Sequence, residues 1–429
     1  MLKFLVLQCQ QMRLETMKYN SDIIIIGAGA AGMMAAITAA RAGASVQILE
    51  HMDMAGKKIL ATGNGKCNYT NEKQGVEYYY GDNPAFVLPV FEQFGKAETL
   101  EFFWGLGILP KKERDCYYPA SKQAASIREV LVMELARLQV PVTYNCGIRS
   151  VKREADGFCI ETKGDNLYSR FCILATGGCT SKKTGSDGSG FLYLRSLGHH
   201  IIEPVPALVG LTGKQPFFKE LAGIRIEGKV TIYIDGKPVA DETGELQLTD
   251  YGISGIPVFQ VSRLALRALQ EQKQVRAELD LAPYFSEEEL KEHLRHCYSQ
   301  KGKTTGQALI GTFPTKLIPV LLRQAGISEK ALAEKTDNEA LKRLQQQILA
   351  FRVDVTGTKS FDAAQVTAGG VDTAEITNKT LESKLVQGLY FAGEMIDIDG
   401  KCGGYNLQWA WSSGYAAGIH AAQAAKEKK

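Results

Sequence analysis

The apolar positions of this chain follow different rhythms in different regions. Residues 22–26 form a β-branched run that predicts a buried strand. Spaced glycines follow, then apolar residues at helical spacing from about Ala30 to Ala42, closed by Gly43. The segment SVQILE predicts a second strand ending in Glu50. Two further apolar strands are expected in YSRFCILATGG (168–178) and QGLYFAGE (387–394). Between roughly 200 and 282 the pattern changes to short strands with turn chemistry: ALVGLTG, GKVTIYIDG, GELQLTD and VRAELDL. Pro283 marks the end of that region. From about Ser286 to Ala350 the period is helical, in SEEELKEHLRHCYSQ, PTKLIPVLLRQAG and NEALKRLQQQILAF. Near the C-terminus Leu407, Ala410, Trp411, Gly414, Tyr415, Gly418 and Ile419 recur at helical spacing. They predict one face of a helix packed on a sheet, with Trp409 off the stripe and facing either the insertion or a pocket.

These rhythms predict an α/β fold that is interrupted. Residues 1–20 form an N-terminal extension, with Met17 a more natural start than Met1. Residues 21–198 and 353–429 are two parts of one domain, 199–283 a β-rich insertion, and 284–352 a small helical subdomain. A length of 429 residues fits about two or three domains. A net charge of +3 gives no electrostatic reason to expect nucleic acid or an anionic membrane as partner. Residues 23–40 carry no charge, but their glycine spacing fits a strand and turn better than a membrane span. Nine cysteines without a CxxC point to a reducing, cytoplasmic setting and away from a disulfide framework, a zinc ribbon or a dithiol reductase. His293 and His296 have no second ligand pair in the sequence, so no metal site is expected.

The chemistry concentrates after the first strand. GAGAAG places Gly27, Gly29 and Gly32 in G-x-G-x-x-G spacing. Gly27 permits a tight turn, Gly29 lets a pyrophosphate approach the backbone, and Gly32 lets the helix pack on the strand. The first helical turn, Ala30 and Ala31, offers free N–H groups and partial positive charge. Glu50, eighteen residues after Gly32, is placed for an adenosine ribose, and its charge disfavours a 2′-phosphate. The polar loop MAGKKILATGNGKCNYTN (54–71) carries Lys58, Gly65, Cys67 and Asn68 and is long enough to wrap an extended cofactor. Ala175, Thr176 and Gly177 close the third strand. Thr367 and Gly370 lie in a VTAGGV turn, and Gly393–Glu394 end the last strand. GxGxxG, ATGG and glycine-acid, in that order, resemble the glutathione-reductase-like FAD proteins. Gly404 then opens a helix whose first residues, Asn406 and Leu407, are expected at the flavin with Gln408.

Beyond these elements the chain closely resembles one family, the BaiN/RdsA and aminoacetone-oxidase-type FAD-binding oxidoreductases. The resemblance runs from about residue 20 to 425 and rests on GAGAAGMMAA, GKKILATGNGKCNYTN, ILATGG, TGSDGSGF, ELQLTDYGISGIPVFQVS, VTAGGVDTAEI and GLYFAGEMIDIDGKCGGYNLQWAWSSG. Lys66, Tyr69 and Leu381 stand where Arg, Leu and Met are common. The resemblance implies an FAD-binding Rossmann domain whose insertion caps the flavin over a small-molecule substrate. It implies either an NAD(P)H-linked reductase of conjugated C=C bonds in a sterol- or bile-acid-like enone, or an amine oxidase of the aminoacetone type. A flavin-bearing electron carrier is the third possibility. With no second GxGxxG, NAD(P)H is expected as a transient visitor. Tyr251, in TDYGISG, is the candidate proton donor, and the oligomeric state is open.

Overall fold

The computed structural model describes residues 19–427. The expected extension at 1–20 therefore lies almost wholly outside the described residues. The chain folds as two compact units, one running to Pro204 and resuming at Val366, the other from Val205 to Gln365.

The first unit is built on a parallel core. β1 (Ser21–Ile26) enters a glycine turn and α1 (Ala30–Arg41), and β2 (Val46–Leu49) pairs parallel to β1. β3 (Val142–Thr143), β4 (Ile148–Arg153), β5 (Phe158–Thr162) and β6 (Asn166–Leu174) follow. The sheet order is β3-β2-β1-β6-β5-β4. β6 runs parallel to β1, with Ile23 opposite Phe171 and Ile25 opposite Ile173, and antiparallel to β5. β1 is buried along its whole length, as expected for a strand covered on both faces. α2 (Ser189–Ser196) then leads toward the second unit.

The second unit closes a barrel from β7 (Leu211–Gly213), β8 (Ile224–Ile234), β9 (Lys237–Leu248), β10 (Gly252–Ser254), β11 (Val275–Asp280) and β12 (Phe351–Gly357). The β-rich region also contains a helix, α3 (Ile256–Gln270), which buries Val258, Val261, Ala265 and Leu266. Their spacing is helical, and Pro257 in the first turn suits a helix start. Helices α4 (Glu287–Tyr298), α5 (Ile318–Gln324) and α6 (Asn338–Leu349) do not form a separate subdomain. Leu290, Leu294, Leu321, Leu344 and Ile348 share one core with the barrel residues Ile232, Leu279 and Val353. The final barrel strand lies C-terminal to these helices, so the return to the first unit falls at Val366 rather than 353, and the first crossing falls after Pro204 rather than 198.

Back in the first unit, β13 (Val366–Val371) and β14 (Leu389–Phe391) precede the long α7 (Tyr405–Glu427). β14 extends the sheet parallel to β6, Cys172 facing Leu389. α7 does not present a single apolar stripe. Trp409, Trp411, Ser412, Ser413, Ala416, Ala417, Ala421 and Ala422 are all buried, while Leu407, Ala410, Tyr415 and Ile419 are only partly covered. A helix surrounded by protein has little need of a polar face. Its closest partner is α1: a Cβ at Gly414 would stand 2.4 Å from the Ala31 carbonyl oxygen, and one at Gly418 2.4 Å from that of Ala35. These two glycines, one helical turn apart, let the two backbones touch.

Candidate functional site

The glycine turn between β1 and α1 does two separate jobs. Gly27 has φ +104°, and a Cβ there would stand 2.5 Å from the Ala175 carbonyl oxygen. At Gly32 it would meet the Gly27 carbonyl oxygen at 1.9 Å. Those two glycines are therefore required by the protein's own packing. Gly29 differs: its φ of −75° is ordinary, and nothing lies within 4 Å of a Cβ built on it. It opens onto free space in front of the α1 N-terminus, which has no side-chain cap. The orphan N–H groups of a first helical turn suit an anion there.

Glu50 is buried beside this turn. One carboxylate oxygen accepts from the Ala28 N–H at 2.7 Å and the other from the Met52 N–H at 2.8 Å. The side chain is thereby fixed in orientation, and each oxygen keeps lone-pair capacity for a hydroxyl.

The loop after β2 folds back across the site. Gly63, Asn64, Gly65 and Cys67 all have positive φ, which explains its run of glycine and asparagine. A Cβ at Gly65 would again meet nothing within 4 Å. Cys67 is fully buried, and burial pushes its thiol up to about 12, against the opposing hydrogen bond of Thr62. Burial of this kind favours the protonated thiol. Asn68 Oδ1 is buried and no protein group pairs with it; a Cβ on Gly404 would stand 2.7 Å from it.

The turn after β6 and the turn after β14 meet at one carboxylate. Glu394 Oε2 accepts from Lys58 Nζ at 2.7 Å, and Oε1 accepts from the Thr367 N–H at 2.7 Å and the Thr180 hydroxyl at 3.2 Å. Lys58 Nζ also donates to Thr180 Oγ1 at 3.1 Å. Lys58 is thus held, not a freely solvated loop charge. Gly177 stands close enough that its Cβ would be 3.8 Å from Glu394 Oε2, and a Cβ at Gly393 would be 2.8 Å from that of Ala31. Gly370, at φ +142°, backs onto the Met395 carbonyl. Thr176 Oγ1 is buried and unpaired within the protein. Thr180 is the residue sequence reasoning missed; its signal was a hydroxyl placed just past the ATGG turn.

The contacts therefore join Gly27 to Ala175, Ala31 to Gly393, Gly177 to Glu394, Glu394 to Lys58 and Thr367, and Asn68 to Gly404. Ala30 begins α1 at the same turn. The residues at the start of α7 depart from expectation. Asn406 turns both ends of its amide onto Gly400, accepting from its N–H at 2.8 Å and donating to its carbonyl at 2.7 Å. That bond closes the 400–406 loop, which needs it because Gly403 and Gly404 both have positive φ. Gln408 is fully buried and joins Thr70, Thr99 and Ser412, so it does not face a cofactor. Trp409 is not at a pocket either: it is buried, its indole N–H donates to the Gly393 carbonyl at 3.1 Å, and Phe86 and Phe91 meet it edge-on. Leu407 is half-covered against the core. Tyr251 belongs to the second unit, where the Lys359 ammonium lies 4.3 Å from its ring centre.

An extended dinucleotide fits these residues. The two open glycine positions offer backbone approach, the uncapped helix end offers N–H donors, and Thr176 Oγ1 and Asn68 Oδ1 offer an unused hydroxyl and an unused acceptor. A Rossmann sheet carrying this site defines a dinucleotide-binding α/β protein. Residues 21–420 match the family described as HI0933-like protein Rossmann domain, and the chain belongs to that family. It is 44% identical to the 3-dehydro-bile acid delta(4,6)-reductase of Clostridium scindens, over 93% of this chain and 98% of that protein. It is 31% identical to the ribosomal RNA dihydrouridine synthase of Haemophilus influenzae, over 94% and 99% respectively. Its fold is similar to that of a flavocytochrome c3 fumarate reductase, with TM-score 0.50, 15% identity and coverage of 97% of this chain and 81% of that one. Among the described residues no helix is long and apolar enough to cross a membrane, and no group of acidic, His and Cys side chains could hold a metal.

Proposed function

We propose that this protein reduces a carbon–carbon double bond conjugated to a carbonyl, in a sterol- or bile-acid-like enone, with NAD(P)H as a transient electron donor. The observation that carries the reading is the 44% identity, over nearly the full length of both chains, to a bile acid delta(4,6)-reductase. The more distant relative is named for making dihydrouridine, which is also addition of hydrogen across a double bond conjugated to a carbonyl. The two names therefore share a reaction type while differing in substrate.

Bound FAD would supply the hydride chemistry. The chain's own residues hold it in place. The N–H groups at the start of α1 would receive the diphosphate beside Gly29, and Glu50 would receive the ribose hydroxyls. Thr176 and Asn68 would take polar groups of the cofactor, and the Glu394 cluster fixes the turns around them. Tyr251, in the second unit, is the candidate source of the proton that accompanies hydride addition.

The test uses purified holoprotein without oxygen. NADH or NADPH is expected to bleach the flavin, and a 3-oxo-4,6-diene bile acid to restore its colour while gaining hydrogen. Reduction of the flavin by aminoacetone would favour the amine oxidase instead. Reduction of uridine in ribosomal RNA without turnover of the steroid would move the substrate to nucleic acid. Failure of both nicotinamide and amine to reduce the flavin would leave an electron carrier.

A further inference from the structure

The Lys58–Glu394 pair raises a question of charge. Glu394 stands beside the Gly177 turn, and its neighbour Gly393 abuts Ala31 in the first turn of α1. That is where the FAD reading puts a diphosphate, and an unneutralised carboxylate there would repel it. The carboxylate cannot simply turn away, because the Thr367 N–H and the Thr180 hydroxyl hold it. Lys58 reaches it from 336 residues earlier in the chain, and the side chains of the pair are only 25% and 18% exposed.

We propose that Lys58 is a positioning residue that acts through Glu394: its ammonium neutralises the carboxylate so that the neighbouring turn accepts an anionic cofactor. This rests on the FAD reading and assigns Lys58 a role other than direct contact with phosphate. Glu394, in exchange, ties the loop after β2, the turn after β6 and β13 to the turn after β14. Charge explains the choice of lysine at position 58: a neutral side chain there would leave the anchor intact and the repulsion unrelieved.

A double-mutant cycle on FAD-stripped protein separates the two roles. Wild type, Lys58→Met, Glu394→Gln and the double variant are titrated with FAD by fluorescence quenching. Lys58→Met is expected to weaken binding by about tenfold or more, since an uncompensated charge near a phosphate costs at least that much. Its deficit should shrink as salt rises. Glu394→Gln should bind more nearly like wild type, and the double variant should recover most of what Lys58→Met lost. A double variant as weak as Lys58→Met, or weaker, overturns the proposal and makes Lys58 a direct ligand. Melting temperatures of the stripped proteins show whether each variant folds; if Lys58→Met does not, Lys58→Gln completes the same cycle. If wild type itself takes up no FAD, it is the cofactor reading that has failed.

Discussion

Replacing Gly29 by Ala separates what the protein needs from what its ligand needs. Gly29 has φ −75° and ψ −171°, a backbone that alanine adopts without strain, and its Cβ would touch nothing. The loss to the fold is then the poorer helix N-cap, about 0.5–1 kcal/mol. For a unit of this size that is a fall of roughly 1–4 °C in the melting temperature of FAD-free protein. Binding should suffer more. A methyl group in front of the α1 N-terminus holds a phosphate away from the first-turn N–H groups, and each lost charge-assisted hydrogen bond is worth about 1.5–3 kcal/mol. Affinity for FAD should therefore drop roughly 10- to 150-fold. Gly32→Ala is the contrast: its Cβ would lie 1.9 Å from a backbone oxygen, so it should destabilise the stripped protein itself. The assay is FAD bound per chain in purified protein, FAD titration of stripped protein, and thermal melting of both variants. Undiminished FAD affinity in Gly29→Ala would refute the cradle. So would a stripped Gly29→Ala protein that melts as early as Gly32→Ala.

Gly414→Ala should lower the melting temperature by several degrees, an overpacking loss of about 1–3 kcal/mol, because its Cβ meets the Ala31 carbonyl at 2.4 Å and a backbone cannot swing aside. Since Ala31 sits in the first turn of α1, bound FAD should fall with it; a variant with wild-type melting and wild-type FAD content would contradict the close crossing. Glu72 is a test in acid. Lys96 at 2.7 Å, Tyr117 at 2.5 Å and Lys112 at 3.0 Å hold its carboxyl down to about 2. A depressed carboxyl stabilises the fold above the ordinary carboxylate range and loses that contribution as pH falls toward the folded value. The melting temperature of wild type should therefore exceed that of Glu72→Gln at pH 7, with the gap closing below about pH 4.5 and narrowing in high salt because the network is on the surface. A gap independent of pH would show that the network adds nothing through charge.

Features set within a few residues were legible from the chain alone. The strand–turn–helix at 21–41 and the strands ending at Leu174 and Phe391 appear where the apolar runs put them, because buried parallel strands leave a near-continuous apolar signature. Features closed over long separations were not. The barrel joins β7 to β12 across the entire helical segment, and no local period marks that pairing. Trp409 looked displaced from its helix face only because the stripe was assumed to be one-sided. α7 is enclosed by α1 and by the aromatic residues Phe86, Phe91 and Phe103, so its small residues pack as tightly as its large ones. Gln408 read as a cofactor ligand by its neighbourhood, yet it satisfies three hydroxyls inside the core.

Glycine shows most clearly where the letters stop. The same residue type serves at Gly29, Gly65, Gly32, Gly414 and Gly404, and the sequence cannot say whether it makes room for a ligand or for the protein's own backbone. The space around each Cβ divides them. Gly29 and Gly65 face nothing, whereas Gly32 and Gly414 face carbonyl oxygens. Gly404 belongs with the second group. Its φ is +95°, and a Cβ there would lie 2.7 Å from Asn68 Oδ1 and 2.9 Å from the Thr70 carbonyl oxygen. A bulky residue at 404 would strain the turn and displace Asn68 whether or not a flavin lies beyond it. Loss of FAD in such a variant would therefore follow from broken packing, and it says little about a helix end aimed at the flavin. Gly29 carries that question, because its φ of −75° accepts alanine and no protein atom lies within 4 Å of the new methyl group, whereas Gly65, at φ +80°, would be strained by any side chain.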